Sequence, residues 1–93
     1  MDIPVIAIAR HKSGVYEWAL VYGNERLDGE IGDSSISACL ICAVAGLPND
    51  AMLVEVRYRT VGMGTFPRVA LEETTEVIAE KIANDYATLI TFE

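Results

Sequence analysis

The chain predicts an α+β domain: an antiparallel three-stranded start, a central apolar helix, a fourth strand that can open a hairpin, an amphipathic second helix and, in one reading of the terminus, a closing strand. Three observations carry that expectation. Residues 15–22 and 52–58 alternate with the two-residue repeat of a strand. Residues 34–49 carry no charge, and residues 74–86 repeat their apolar side chains at helical spacing.

Taken in order, Ile3 to Ala9 is an apolar run suited to a strand buried on both faces, with Pro4 tolerated near its beginning. Arg10 to Gly14 reads as a polar loop. In the next strand Tyr16, Trp18, Leu20 and Tyr22 share one face and Val15, Glu17, Ala19 and Val21 the other. Gly23-Asn24 then marks a hairpin, because both residues accept positive φ. The third strand, Glu25 to Ile31, sets Leu27, Gly29 and Ile31 against Arg26, Asp28 and Glu30.

Gly32-Asp33-Ser34-Ser35 signals a helix start, since Asp and Ser oxygens accept bonds from first-turn amides. That helix runs to about Ala45, with Gly46 suited to a left-handed cap and Pro48 forbidding continuation. Ile36, Cys39, Leu40, Ala43, Val44 and Leu47 form one broad face, and Ala38, Ile41, Cys42 and Ala45 form much of the other. Met52 to Tyr58 is the fourth strand, and Gly62-Met63-Gly64 reads as a turn. Residues 65–71 fit either an edge strand or a helix with Pro67 in its first turn. In the second helix Leu71, Thr75, Ile78, Ala79, Ile82 and Tyr86 share a face opposite Glu73, Glu76, Glu80 and Asn84. Thr88 to Phe92 suits a strand or an extension of that helix.

A length of 93 residues implies one domain spanning 1–93, and 52% hydrophobic with 23% charged residues implies a folded one. A mean hydropathy of +0.29 leaves apolar surface that a second copy would hide, so a homo-oligomer is the expected state. With 14 acidic against 7 basic side chains the net charge is −7, shared by both halves, which disfavours nucleic acid as a partner. The run lacks a membrane-length apolar stretch and a signal-peptide pattern at Met1-Asp2-Ile3-Pro4, so a cytoplasmic protein is expected. Cys39 and Cys42, its two cysteines, lie inside the apolar helix and fit a reducing compartment.

Candidate chemistry is sparse. Cys39-x-x-Cys42 has no second ligand pair and lies a turn or more inside its helix, so the thiols read as structural rather than as zinc ligands or a redox centre. Asp28, Glu30 and Asp33 are the carboxylates that most resemble a hard-cation site; as strand surface and helix cap they need no ion. His11 with Ser13, Ser34 or Ser35 lacks nucleophile-elbow spacing. Tyr16, Trp18 and Tyr22 have no basic interleaving and read as half of a core. Arg57 and Arg59 share a strand face, and Arg68 approaches them if the Gly62-Met63-Gly64 turn makes a hairpin, giving a positive spot suited to carboxylate or phosphate.

The order of elements resembles the ribonuclease-H-like arrangement. That resemblance implies nuclease activity only with acids on the first strand, in the first helix and on the fourth strand. Here the first strand and the helix offer none and the fourth strand only Glu55, so the activity does not carry over. With a hairpin at Gly62-Met63-Gly64 the order instead resembles acidic dimeric secretion chaperones, which pair through a central helix; their opening helix has no counterpart here.

These readings predict a non-enzymatic protein-interaction or regulatory domain, homodimeric through the apolar helix 34–46 with Ala38, Ile41, Cys42 and Ala45 at the interface. Its sheet or acidic second helix is then left for a protein partner. The alternative is a small anionic-ligand module, at most a weak enzyme, using Arg57, Arg59 and Arg68. No cofactor and no metal ion is expected.

Overall fold

The computed structural model of the chain describes residues 3–91. Its elements are β1 (Val5–Lys12), β2 (Val15–Tyr22), β3 (Glu25–Asp33), α1 (Ile36–Ala45), β4 (Leu53–Tyr58), β5 (Val61–Pro67), α2 (Arg68–Glu73) and α3 (Thr75–Thr91). The strands form one mixed sheet in the order β3-β2-β1-β4-β5, antiparallel throughout except for the parallel pair β1 and β4. A parallel neighbour needs a crossover. Helix α1 supplies it, packing on β3, β2 and β1 as it carries the chain from one edge across the sheet.

All three helices contribute to one core. Ile6, Ile8, Trp18, Leu20, Val54, Val56 and Tyr58 point from the sheet into it and meet Cys39, Leu40 and Ala43 of α1, Leu71 of α2, and Ile78, Ala79 and Ile82 of α3. Each fully buried aliphatic side chain of this kind stabilises the fold by about 1.5–3 kcal/mol. Tyr16 packs against the core as a half-buried member and Tyr22 is exposed, so the aromatic stripe of β2 is core at Trp18 and fades toward the hairpin. The expected apolar face of the second helix is the one that packs inward.

Several local expectations need correction. β1 is not buried on both faces: Ile6 and Ile8 are buried, Val5 and Ala7 half-buried and Ala9 exposed, because every helix lies on one side. The polar stretch after Ala9 is largely strand, reaching Lys12. Helix α1 is capped by Ser35, whose Oγ accepts from Ala38 N at 3.1 Å, while Asp33 ends β3. Gly46 closes α1 with φ −93°, not in the left-handed region. In the first hairpin Gly23 takes positive φ and Asn24 does not.

The largest departure is at the second hairpin. Its turn is not Gly62-Met63-Gly64 but Arg59-Thr60, with φ 52° and 70°. Gly62 and Gly64 lie inside β5, where the register slips between Arg57↔Gly62 and Val56↔Gly64 and Gly64 takes φ 124°. Two consecutive non-glycine residues in that region cost about 1 kcal/mol or more each, and a β-branched Thr is a poor occupant. Residues 65–71 combine both expected forms: the edge strand ends at Pro67, and Arg68 begins α2. A short break at Thr74 separates α2 from α3, with the Thr74 hydroxyl donating to Ala70 O at 2.6 Å. The closing strand is replaced by helix through Thr91; Phe92 lies outside the described residues.

Candidate functional site

Among the described residues, one surface on each layer combines an open hollow with charged neighbours. The first is the outer flank of α1. Five of its residues, Ile36, Cys39, Leu40, Ala43 and Val44, are buried, whereas Ile41 is 59% exposed, Ala45 is exposed, and Ala38 and Cys42 are half-buried. The interface expected from the sequence is therefore an open stripe on the single chain. Beside Ile41 a hollow of about 360 Å³ is lined by Glu73, Thr74, Thr75, Glu76 and Val77, with Val77 67% exposed.

Both borders of that stripe are acidic. Glu73 and Glu76 line the hollow on the α2–α3 side. On the β3 side, ligand atoms of Glu30, Asp33 and Cys42 lie within 4.8 Å of one another, and the Cys42 thiol is 4.0 Å from Asp33 Oδ1. Asp28 Oδ2 comes within 3.2 Å of where a side chain on Gly46 would begin. The expected carboxylate group Asp28, Glu30 and Asp33 thus gains a thiol that sequence reasoning did not connect to it. Glu30, Asp33 and Cys42 are the described residues whose spacing could hold a cation.

These neighbours act on the thiols. Burial, with further contributions from Asp33, Cys42 and Glu30, pushes Cys39 up to about 12. The Cys42 thiol is also raised, by desolvation first and by Asp33 and Glu30 after it. Neither group is a nucleophile at neutral pH, since reactivity belongs to the thiolate. Trp18 Nε1 and Asp33 Oδ2 are buried atoms without a hydrogen-bond partner among the described residues.

The second surface is the outer face of the sheet. Val5, Ala7, Ala9, Ala19, Val21 and Gly29 lie across it in register, Ala7 opposite Ala19 and Ala19 opposite Gly29. Small side chains leave a hollow of about 330 Å³ lined by Ala7, Ile8, Ala9, Glu17, Ala19, Arg57, Arg59 and Thr60. Because β1 and β4 run parallel, their ends meet. Arg10, His11 and Lys12 finish β1 where Arg57 nears the end of β4 and Arg59 opens the turn after it, so four of the seven Lys and Arg residues gather at one end of the sheet, with Arg10 alternating with Ile6 and Ile8 onto the helical side.

Of the three arginines singled out in the sequence, the structure brings two to this hollow. Arg57 Nε lies 2.5 Å from Glu55 Oε2, and the Arg59 guanidinium carbon stands 5.3 Å from the Tyr86 ring centroid. Tyr86 in turn meets Tyr58 edge-on at 5.0 Å. Burial raises the Tyr58 hydroxyl, partly offset by Arg59 and Arg10 nearby. Arg68 sits at the far end of the hairpin, by the Leu53↔Pro67 pair, about 13 Å along the strands from Arg57. Its Nη1 donates to Pro48 O at 2.8 Å and its Nε faces Glu72 at 3.7 Å, so it ties the α1–β4 loop to α2. The pairing expected to draw Arg68 toward Arg57 and Arg59 assumed a turn beginning at Gly62, whereas the turn begins at Arg59.

His11 is engaged with Glu17 at 2.9 Å, and Ser35 with the first turn of α1 and with Ser37. No helix among the described residues is long and apolar enough to cross a membrane. No family model, no curated protein and no solved structure matches the chain.

Proposed function

We propose that the protein is a non-enzymatic protein-interaction domain whose α1 stripe receives an apolar ridge flanked by basic side chains on a partner protein. The observation that carries this reading is the pairing of exposed Ile41 and Val77 with acidic borders, Glu73 and Glu76 on one side and Asp28, Glu30 and Asp33 on the other. An amphipathic segment with Lys or Arg beside its apolar ridge is complementary in both respects.

Magnitudes weigh against a second copy in the same place. Covering what Ile41 leaves exposed contributes about 1–2 kcal/mol. Any symmetric pairing through this stripe sets acidic borders against acidic borders on molecules of net charge −7, at roughly 1 kcal/mol per close like-charged pair in water. The homodimer expected from the sequence becomes the competing outcome of one experiment.

That experiment is a solution mass measurement alongside titration with a synthetic helical peptide bearing a leucine ridge and lysine flanks, with a glutamate-flanked peptide as control. The lysine peptide binds a monomeric protein, binding weakens as salt is added, and Ile41→Glu reduces affinity at least about tenfold without unfolding the chain. A dimer that Ile41→Glu dissociates would restore the homodimer. Equal binding of the two peptides would remove the proposal.

A further inference from the structure

We propose that the hollow on the outer sheet face binds a small organic carboxylate with a flat apolar body. This is independent of the α1 stripe, which lies on the other layer. The body rests on Ala7, Ala9 and Ala19, and the carboxylate meets the guanidinium of Arg57.

Three features of the chain converge on that assignment. The first is shape: paired alanines at Ala7 and Ala19 open a floor in the middle of a sheet, where larger side chains would close it, and the Arg26 guanidinium over Gly29 bounds it. A volume of about 330 Å³ lies at the lower end of small-molecule sites. The second is charge. On a protein of net charge −7, two arginines, Arg57 and Arg59, line this hollow against one acid, Glu17, which is engaged with His11. An isolated inorganic anion would leave the alanine floor unused, and a neutral apolar molecule would leave the arginines unused.

The third is backbone strain. Arg59 and Thr60 both line the hollow and both hold positive φ, in a two-residue turn where Asn-Gly is the relaxed choice. Strain of this kind persists where the surrounding structure or a ligand requires the side chains that cause it. Here it holds Arg59 at the edge of the hollow with its guanidinium on the Tyr86 ring. Glu55 occupies Arg57 in the free protein and is the group a bound carboxylate replaces.

The test uses a naphthalene carboxylate as probe, with naphthyl methanol as its neutral counterpart and acetate as the charge alone, followed by methyl chemical shifts of Ala7, Ala9 and Ala19. The naphthoate shifts those methyls saturably, and the alcohol and acetate bind at least tenfold more weakly. Arg57→Gln weakens binding about tenfold, Glu55→Gln tightens it severalfold by freeing Arg57, and Ala19→Leu abolishes it by filling the floor. The double variant Arg59→Asn, Thr60→Gly melts a few degrees higher yet binds more weakly, which separates binding from folding. Failure of the naphthoate to bind, equal affinity for the alcohol, or unchanged binding in Ala19→Leu would overturn the proposal. None of these results bears on the peptide titration at α1.

Discussion

The two faces of the sheet are built from the same strands and meet opposite fates. On the covered face Ile6, Trp18, Leu20, Val54 and Val56 are buried under three helices. On the bare face their alternate neighbours are Ala7, Ala9, Ala19, Glu17, Glu55 and Arg57. The difference lies in side-chain size and charge, not backbone. Large branched and aromatic residues mark the side that excludes water, and alanines with paired charges mark a side that tolerates it. A second contrast follows from this layering: the exposed flank of the helical layer is acidic around Ile41, and the bare sheet sets Arg57, with Glu55 and Glu17 near it, beside an alanine floor.

Substitutions that alter one face and spare the other sharpen this contrast most. Leu40→Ala, beneath the helices, is expected to cost about 2–5 kcal/mol in denaturant unfolding, whereas Ala19→Leu on the bare face changes stability by less than about 0.5 kcal/mol. Equal costs would mean that the outer face is packed. Next in size is an alkaline effect confined to the covered layer. Cys39 is held protonated to about 12 in the fold against an ordinary value of 9.0, so its contribution is intact below about pH 9 and disappears as pH rises toward 12. Thermal melts across that range should fall less steeply for Cys39→Ala than for the parent.

A smaller loss, about 1 kcal/mol, is expected for Ser35→Ala, because the Ala38 amide loses its cap. The Arg59→Asn, Thr60→Gly turn should gain a comparable amount by relieving positive φ. Ile41→Glu should lie within about 0.5 kcal/mol of the parent, since its side chain already faces water. A large loss there would show that α1 is covered after all.

Much of this architecture was legible in local pattern. Alternation in Tyr16, Trp18 and Leu20 and in Val54, Val56 and Tyr58 marked the inward faces of β2 and β4, and helical spacing of Leu71, Ile78, Ala79 and Ile82 marked the inward face of α2 and α3. Pattern failed where the deciding contact was distant. Val5, Ala7 and Ala9 are as apolar as a doubly buried strand requires, and only the placement of the helices leaves them bare. Glycine spacing suggested a turn at Gly62-Met63-Gly64, but those residues build a bulge and the turn falls on residues whose side chains resist it.

The candidate sites were half legible for the same reason. Arg57 and Arg59 were visible as neighbours in sequence, whereas Arg10 and Lys12 join them through the parallel pairing of β1 with β4, which follows β2, β3 and α1 along the chain. Cys42 acquires Glu30 and Asp33 through the fold of β3 against α1. The lack of charge along residues 34–49 marked a helix but not its covering: Ile41 and Ala45 face water on the single chain, and the carboxylates beside them came from other elements.

The most direct test of these two bare surfaces is nuclear magnetic resonance relaxation with a cationic and then an anionic paramagnetic solute. The cationic solute should broaden Ile41 and Val77 more strongly, and the anionic one Ala7, Ala9 and Ala19. Silence at the alanines with both solutes, or the same preference at both surfaces, would contradict the account.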